Sequence, residues 1–139
     1  MTAVRPSQAP VVAAVAVGGG LGAAARYAAA LCWPTPAGHF PWAVFLVNIA
    51  GCAAMGALMV AVTEVWSPHR LLRPFLGTGV LGGFTTFSTY AVDVRDLAAG
   101  GHPATALVCL AATPLAALTA VWLAASAARR VLGPKGGAA

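Results

Sequence analysis

A dense group of polar side chains lies inside the third of four long apolar stretches in this sequence. The pair Gly82-Gly83 disfavours an intact helix, and four hydroxyl side chains follow, those of Thr85, Thr86, Ser88 and Thr89. A helix broken inside a membrane leaves carbonyl and N–H groups unpaired, which is tolerated only where the break is buried in protein or lines a cavity. Transporters use such breaks to bind ions. The segment therefore predicts either an ion-binding break or a glycine packing notch in which the hydroxyls bond back to the helix.

Further polar residues lie inside the other apolar stretches, where each needs a partner. Asn48 is near the middle of the second stretch, and its amide could join two helices or donate a hydrogen bond to an anion. Arg26 lies well inside the first stretch, and it could either reach the membrane interface or attract anions in a polar vestibule. Thr105, Cys109 and Thr113 recur every four residues in the fourth stretch and form either a weakly polar stripe or a packing face.

The elements that carry these residues are long enough to cross a bilayer. Of the 139 residues, 60% are hydrophobic and only 8% are charged, which excludes a disordered chain, a coiled coil and an ordinary soluble enzyme. A helix needs about 20 apolar residues to cross about 30 Å of hydrocarbon. We predict an all-α integral membrane protein with a single domain over residues 1–139 and transmembrane helices at about 11–32, 41–65, 71–97 and 103–128.

Small residues spaced four apart indicate close helix packing on three of the predicted helices. These pairs are Gly18 with Gly22, Ala50 with Ala54, and Gly79 with Gly83. The pattern favours an oligomer, and packing within one subunit also explains it.

No arrangement typical of an enzyme is present in the sequence. The cysteines Cys32, Cys52 and Cys109 are far apart and lie in apolar runs, so they predict neither a disulfide framework nor a zinc site. The histidines lie in or beside loops, far apart in sequence, and suggest no metal or catalytic cluster. Nucleic-acid binding is also not expected, because the basic residues form no stripe.

The basic residues instead predict an orientation in the membrane. With four spans, both termini and the loop between the second and third helices share one side, which carries Arg5, Arg70, Arg73, Arg129, Arg130 and Lys135. The other side carries only Arg95, next to Asp96. Positive residues concentrate in cytoplasmic loops. We therefore expect a multi-pass protein of the cell (inner or plasma) membrane with cytoplasmic termini.

Three motifs together resemble the Fluc/CrcB family of fluoride channels over essentially the whole chain. They are Gly19-Gly20-x-Gly22-Ala23-x-x-Arg26-Tyr27, Asn48-x-x-Gly51-Cys52 and Gly82-Gly83-x-Thr85-Thr86-Phe87-Ser88-Thr89-Tyr90. The resemblance implies a passive fluoride channel that exports cytoplasmic fluoride, built as a dual-topology-type dimer of antiparallel four-helix subunits with a break in the third helix. It also implies a structural sodium ion held by the backbone carbonyls of Gly82 and Thr85.

The same resemblance implies a role for each residue of the fluoride pathway. Asn48 corresponds to the pore amide, Phe87 and Tyr90 to the pore aromatic residues, and Arg26 to the membrane-embedded arginine. Ser88 and Thr89 correspond to vestibule hydroxyls, and Thr113 lies near a pore serine of the fourth helix. The departures are Tyr90, where the family usually has phenylalanine, and Cys109, near the position of a pore tyrosine. Tyr90 could offer its ring edge to fluoride, or it could hydrogen-bond and close the path.

The partners expected from this resemblance are fluoride, membrane lipid and a second subunit. The dimer is either a homodimer or a heterodimer with an oppositely oriented paralogue. The charge bias and the altered pore positions favour the heterodimer. Two other functions are considered. One is a small four-helix drug/proton antiporter, which needs an intramembrane carboxylate, whereas Glu64 and Asp93 each lie near a helix end. The other is a non-conducting membrane assembly subunit.

Overall fold

A computed structural model describes residues 7–65 and 69–132 of the chain, and the helices account for most of them. Within these ranges there are no strands. The helices are α1 (Ala9–Cys32), α2 (Trp42–Val60, continued by the π-helical turn Ala61–Val65), α3 (π-helical Pro74–Leu81 followed by the α-helical turn Gly82–Phe84), α4 (Ser88–Ala99) and α5 (Pro103–Leu132).

Three of these helical segments are continuous, long and apolar enough to cross a membrane. They are Ala9–Cys32, Trp42–Glu64 and Pro103–Leu132, with mean hydropathy values of 1.4, 2.1 and 2.0. The prediction of a helical integral membrane protein is therefore confirmed. The last helix is longer than the predicted range 103–128, since it continues to Leu132. Arg129 and Arg130 lie in its last turn, where positive charge complements the negative end of the helix dipole.

The predicted third span, 71–97, is divided between α3 and α4. The α-helical turn of α3 ends at Phe84, and Thr85 takes an extended conformation with ψ of 153°. α4 begins at Ser88, so the residues between the two helices are Thr85, Thr86 and Phe87. Helical structure therefore ends at the group of hydroxyl residues that follows Gly82-Gly83.

α1 and α3 approach each other so closely that their backbones touch through glycine. A methyl group at Gly18 would lie 2.5 Å from the Phe75 carbonyl oxygen, and one at Gly22 would overlap the Val80 carbonyl. A methyl group at Gly83 would lie 2.9 Å from the Gly19 Cα. The predicted small-residue faces of these two helices therefore pack against each other within one chain, which leaves α1 next to the interrupted end of α3.

α5 packs along α2 and α4 and completes the wall of the bundle. Its buried residues Ala106 and Cys109 form a core cluster with Tyr90 and Leu97 of α4. Thr113, one turn further along α5, is also buried. Thr113 therefore lies on the same inward face as the core cluster.

Only part of the predicted charge asymmetry lies within the described residues. Arg70, Arg73, Arg129 and Arg130 are exposed, and Arg5 and Lys135 lie outside the described ranges. Arg95 is exposed near the other end of the bundle and forms an ion pair with Asp96 at 2.8 Å.

Candidate functional site

The interruption between α3 and α4 is held by the side-chain amide of Asn48. Its Oδ1 accepts the Thr86 backbone N–H at 2.8 Å, and its Nδ2 donates to the Thr86 carbonyl oxygen at 3.0 Å. The side chain thus replaces both backbone partners that Thr86 loses where the helix stops. Asn48 is buried, so without this pairing a polar group would be left unsatisfied in an apolar environment.

The amide of Asn48 keeps one hydrogen-bond donor beyond its pairing with Thr86. An asparagine NH₂ group carries two N–H donors, and the Thr86 carbonyl takes one of them. The interpretation of Asn48 as a link between helices and its interpretation as an anion donor are therefore compatible within one side chain.

A cluster of hydroxyls lies at the first turn of α4. The Thr86 hydroxyl accepts the Thr89 backbone N–H at 3.1 Å and donates to the Thr89 hydroxyl at 3.0 Å. The Ser88 hydroxyl is 3.3 Å from the same Thr86 oxygen. This end of α4 carries the positive pole of the helix dipole, so the cluster lies in a field that favours an anion.

Most of the residues predicted to form the fluoride pathway line one cavity of about 230 Å³ between α2, α4 and α5. It is lined by Asn48, Cys52, Thr85, Thr86, Phe87, Tyr90, Thr113, Pro114 and Ala117. The structure therefore brings together Asn48 of α2, Phe87 at the start of α4, Tyr90 of α4 and Thr113 of α5. Thr113 is 5% exposed, and its hydroxyl is 3.9 Å from the Cys109 sulfur, a weak hydrogen-bonding partner.

The two aromatic residues of this cavity differ in their surroundings. Phe87 is 79% exposed, and its ring centroid is 5.5 Å from that of Tyr90, with the planes inclined at 59°. Tyr90 is buried, and its hydroxyl donates to the Leu110 carbonyl oxygen of α5 at 2.8 Å. The phenol proton is therefore already committed to a backbone acceptor.

Arg26 has a partner that neither interpretation of the sequence anticipated. Its Nε donates to the Gly83 carbonyl oxygen at 3.3 Å, so the guanidinium pairs with the last turn of α3. Arg26 and Thr89 line a second cavity of about 160 Å³, together with residues of α2. The positive charge is thus close to the helix interruption but outside the cavity that contains Asn48.

The proposed sodium ligands lie at the same interruption. The Thr85 backbone N–H and hydroxyl both donate to the Leu81 carbonyl, at 3.0 and 2.9 Å, which closes the last turn of α3. The Gly82 position is exposed. A methyl group built there would approach only the Gly77 carbonyl oxygen, at 3.7 Å, so no other described residue covers this side of the turn.

Sequence reasoning assigned four of the nine lining residues to the fluoride pathway, and the other five are Cys52, Thr85, Thr86, Pro114 and Ala117. Thr86 and Pro114 matter most among these five, because the hydrogen bonds of Asn48 and Tyr90 depend on them. Thr86 is one of several hydroxyl residues in its motif. Its backbone N–H and carbonyl pair with Asn48, and backbone groups cannot be recognised from the sequence because every residue has a carbonyl. Pro114 does give a signal in the sequence, because a proline inside a helix removes the donor of the carbonyl four residues earlier. The structure pairs that carbonyl, Leu110, with Tyr90.

The carboxylates considered for a proton-coupled antiporter lie away from this cavity. Glu64 forms an exposed ion pair with Arg129, with Nε 2.9 Å from Oε1. Asp93 lines a separate cavity near the opposite end of the bundle, beside His39 and His102.

The fold and the cavity define a multi-pass helical membrane protein with a cavity at an interrupted helix. The family model described as "CrcB-like protein, Camphor Resistance (CrcB)" matches residues 13–125. The chain therefore belongs to the CrcB family, which confirms the resemblance found in its motifs.

Several relatives share high identity over most of the chain. "Fluoride-specific ion channel FluC 1" of Streptomyces coelicolor is 73% identical over 126 residues, which cover 91% of this chain and 82% of the relative. "Fluoride-specific ion channel FluC 2" of Nocardia farcinica is 55% identical over 130 residues, covering 94% of this chain and 93% of the relative. These relatives are named as ion channels, so the family is one of channels and not of enzymes.

The pairing of Asn48 with Thr86 predicts the effect of an isosteric charge change. Asn48→Asp keeps an acceptor for the Thr86 N–H but removes the donor to its carbonyl and buries a carboxylate. We expect the free energy of unfolding to fall by about 3 kcal/mol, as measured by thermal unfolding in detergent at pH 8. The only other side-chain amide of the chain belongs to Gln8, which is exposed, so Gln8→Glu is the matched control. Equal stability of the two variants would contradict the pairing.

Proposed function

We propose that this chain forms a fluoride-selective channel through which fluoride leaves the cytoplasm by passive flow. The observation that carries the proposal is the cavity in which Asn48, Phe87, Tyr90 and Thr113 meet beside an interrupted helix. Membership of a family whose relatives are named fluoride-specific ion channels identifies fluoride as the ion.

The chemistry of the cavity suits a small, strongly hydrated anion. A channel must replace the water around the ion with donors that do not hold it too tightly. The second N–H of Asn48 and the hydroxyl of Thr113 are such donors, and the edge of the Phe87 ring carries partial positive charge. Arg26 pairs with the Gly83 carbonyl instead of lining this cavity, so no full positive charge is placed among these donors.

A structural sodium ion fits the donor chemistry at the end of α3. Sodium prefers hard oxygen ligands, and an interrupted helix supplies backbone carbonyls. The carbonyls of Gly82 and Thr85 would hold the ion, and the open side at Gly82 leaves room for the same groups of a second subunit. When bound, the ion supplies positive charge that offsets the anions nearby.

The proposed assembly is a dimer of two antiparallel subunits with four spans each, in which α3 and α4 together form the third span. Phe87 is 79% exposed beside the cavity, and a second subunit would cover it. The bias of basic residues supports cytoplasmic termini and favours a heterodimer with an oppositely oriented paralogue over a homodimer.

The channel function is tested by anion efflux from liposomes loaded with fluoride or with chloride. We expect fluoride loss without chloride loss, from the chain alone or after reconstitution with a paralogue. Equal loss of both ions would contradict selectivity, and the absence of efflux from both preparations would contradict a channel function.

The Thr113→Val variant tests the role of the Thr113 hydroxyl. A hydrogen bond from this donor to a charged partner is worth about 1.5–3 kcal/mol, so its removal should slow fluoride efflux at least roughly tenfold. Thr119→Val, on the exposed side of the same helix, is the control and should conduct normally.

The sodium site is tested by the thermal stability of the assembled protein. Exchange of sodium for potassium at constant ionic strength should lower the melting temperature by about 5 °C, because a bound ion stabilises only the folded state. Gly82→Ala, which keeps the carbonyl but adds a methyl group at the open side, should reduce this difference. An identical melting temperature in both salts would contradict a structural sodium ion.

The orientation is tested with a native cysteine. Cys32 ends α1 on the side opposite to the termini and is exposed, while Cys52 is half-buried and Cys109 is buried. A membrane-impermeant maleimide added to intact cells should therefore label Cys32 completely, with no gain after permeabilisation. Cys32→Ser gives the background. A doubling of the signal after permeabilisation would indicate chains in both orientations and would support the homodimer.

A further inference from the structure

Pro114 leaves one backbone carbonyl of α5 without its helical donor. The helix runs without interruption over Pro103–Leu132 with Pro114 inside it. Proline has no N–H, so the carbonyl four residues earlier, that of Leu110, loses its i+4 partner. Water cannot replace that partner in the hydrocarbon region, where every backbone polar group must be satisfied within the protein.

The Tyr90 hydroxyl supplies the missing donor from a different helix. It lies 2.8 Å from the Leu110 carbonyl oxygen, and the tyrosine is 6% exposed in the core between α4 and α5. The bond joins residues that are 20 positions apart, so it is a tertiary contact and not a local turn. The phenol and the proline therefore form a complementary pair, in which one residue removes a donor and the other restores it.

This pair lies on the wall of the candidate fluoride cavity. Tyr90 and Pro114 both line it, together with Asn48 and Thr113. A carbonyl oxygen without a donor presents its full partial negative charge, and in a site of low dielectric that charge repels an anion strongly. Pairing the Leu110 carbonyl thus removes a free acceptor one helical turn from Pro114, which lines the cavity together with the donors of Asn48 and Thr113.

We propose that Tyr90 is a positioning residue of the fluoride pathway, whose hydroxyl pairs the Leu110 carbonyl freed by Pro114 and keeps that acceptor away from the permeating anion. The inference rests on the proposed channel function. It assigns the phenol proton to the protein backbone and not to fluoride, and it fixes the orientation of the aromatic ring beside Phe87.

A double-mutant cycle tests the proposal through fluoride efflux from liposomes, in the assembly that conducts. Tyr90→Phe leaves the Leu110 carbonyl unpaired and should slow efflux about tenfold. Pro114→Ala restores the N–H of residue 114, which can pair with Leu110 in the ordinary helical way, and its own efflux rate, whatever its value, is the reference for its background. In the Pro114→Ala background, Tyr90→Phe should then have almost no effect, because the hydroxyl is redundant.

Two results of the cycle would overturn the proposal. An equal slowing by Tyr90→Phe in both backgrounds would indicate that the hydroxyl contacts fluoride directly, and normal efflux from Tyr90→Phe would indicate no role for it. If Tyr90 acted only through the packing of its ring, Pro114→Ala would not restore the efflux rate of Tyr90→Phe, because Pro114→Ala restores a hydrogen bond and no ring contact. If wild-type protein shows no fluoride-selective efflux, the proposed function itself fails together with this inference.

Resonance Raman spectroscopy of the phenol gives a readout that does not depend on transport. The chain has two tyrosines, and Tyr27 is exposed, so Tyr27→Phe leaves Tyr90 as the only phenol. We expect Tyr90 to report as a hydrogen-bond donor, with the same spectrum in fluoride and in chloride, and the Pro114→Ala variant to weaken that signature. A spectrum that changes when fluoride is added would overturn the proposal even if the variants of the cycle do not fold.

Discussion

The pairing of Asn48 with the backbone of Thr86 is the interaction on which the rest of the structure depends. A membrane-embedded helix can stop only if its freed N–H and C=O groups find partners in the protein. Asn48 provides both partners from the neighbouring helix, at 2.8 and 3.0 Å. It therefore stabilises the interruption and ties α2 to it, and the same side chain lines the cavity beside the interruption.

Two further contacts pair backbone carbonyls at the end of α3. Thr85 returns its N–H and hydroxyl to the Leu81 carbonyl, and Arg26 donates to the Gly83 carbonyl. The contact of Arg26 requires α1 to lie against α3, which glycine at Gly22 permits because any side chain there would overlap the Val80 carbonyl. Gly22 lets α1 lie against α3, and Arg26 then donates a hydrogen bond to the end of α3.

The sequence predicted the structural features that depend on the type and spacing of side chains. Hydropathy and length predicted the helical membrane protein, and Gly82-Gly83 with the hydroxyls that follow marked where helical structure stops. The partners of Arg26 and Tyr90 could not be predicted, because both are backbone carbonyls and every residue has one. Motif resemblance named Asn48, Phe87, Tyr90 and Thr113, but only the folded chain shows that they share a cavity that Arg26 does not line.

The separation of the cavity's donors from the guanidinium of Arg26 is compatible with the anion passage that we propose. A guanidinium among the donors would bind a small anion strongly in a low dielectric, and a bare carbonyl would repel it. In this chain Arg26 is paired outside the cavity, and the carbonyls of Thr86 and Leu110 each accept a hydrogen bond from a residue of its wall. The side chains of Asn48 and Thr113, which line the cavity, are neutral, and neutral donors can replace water around an anion and still release it.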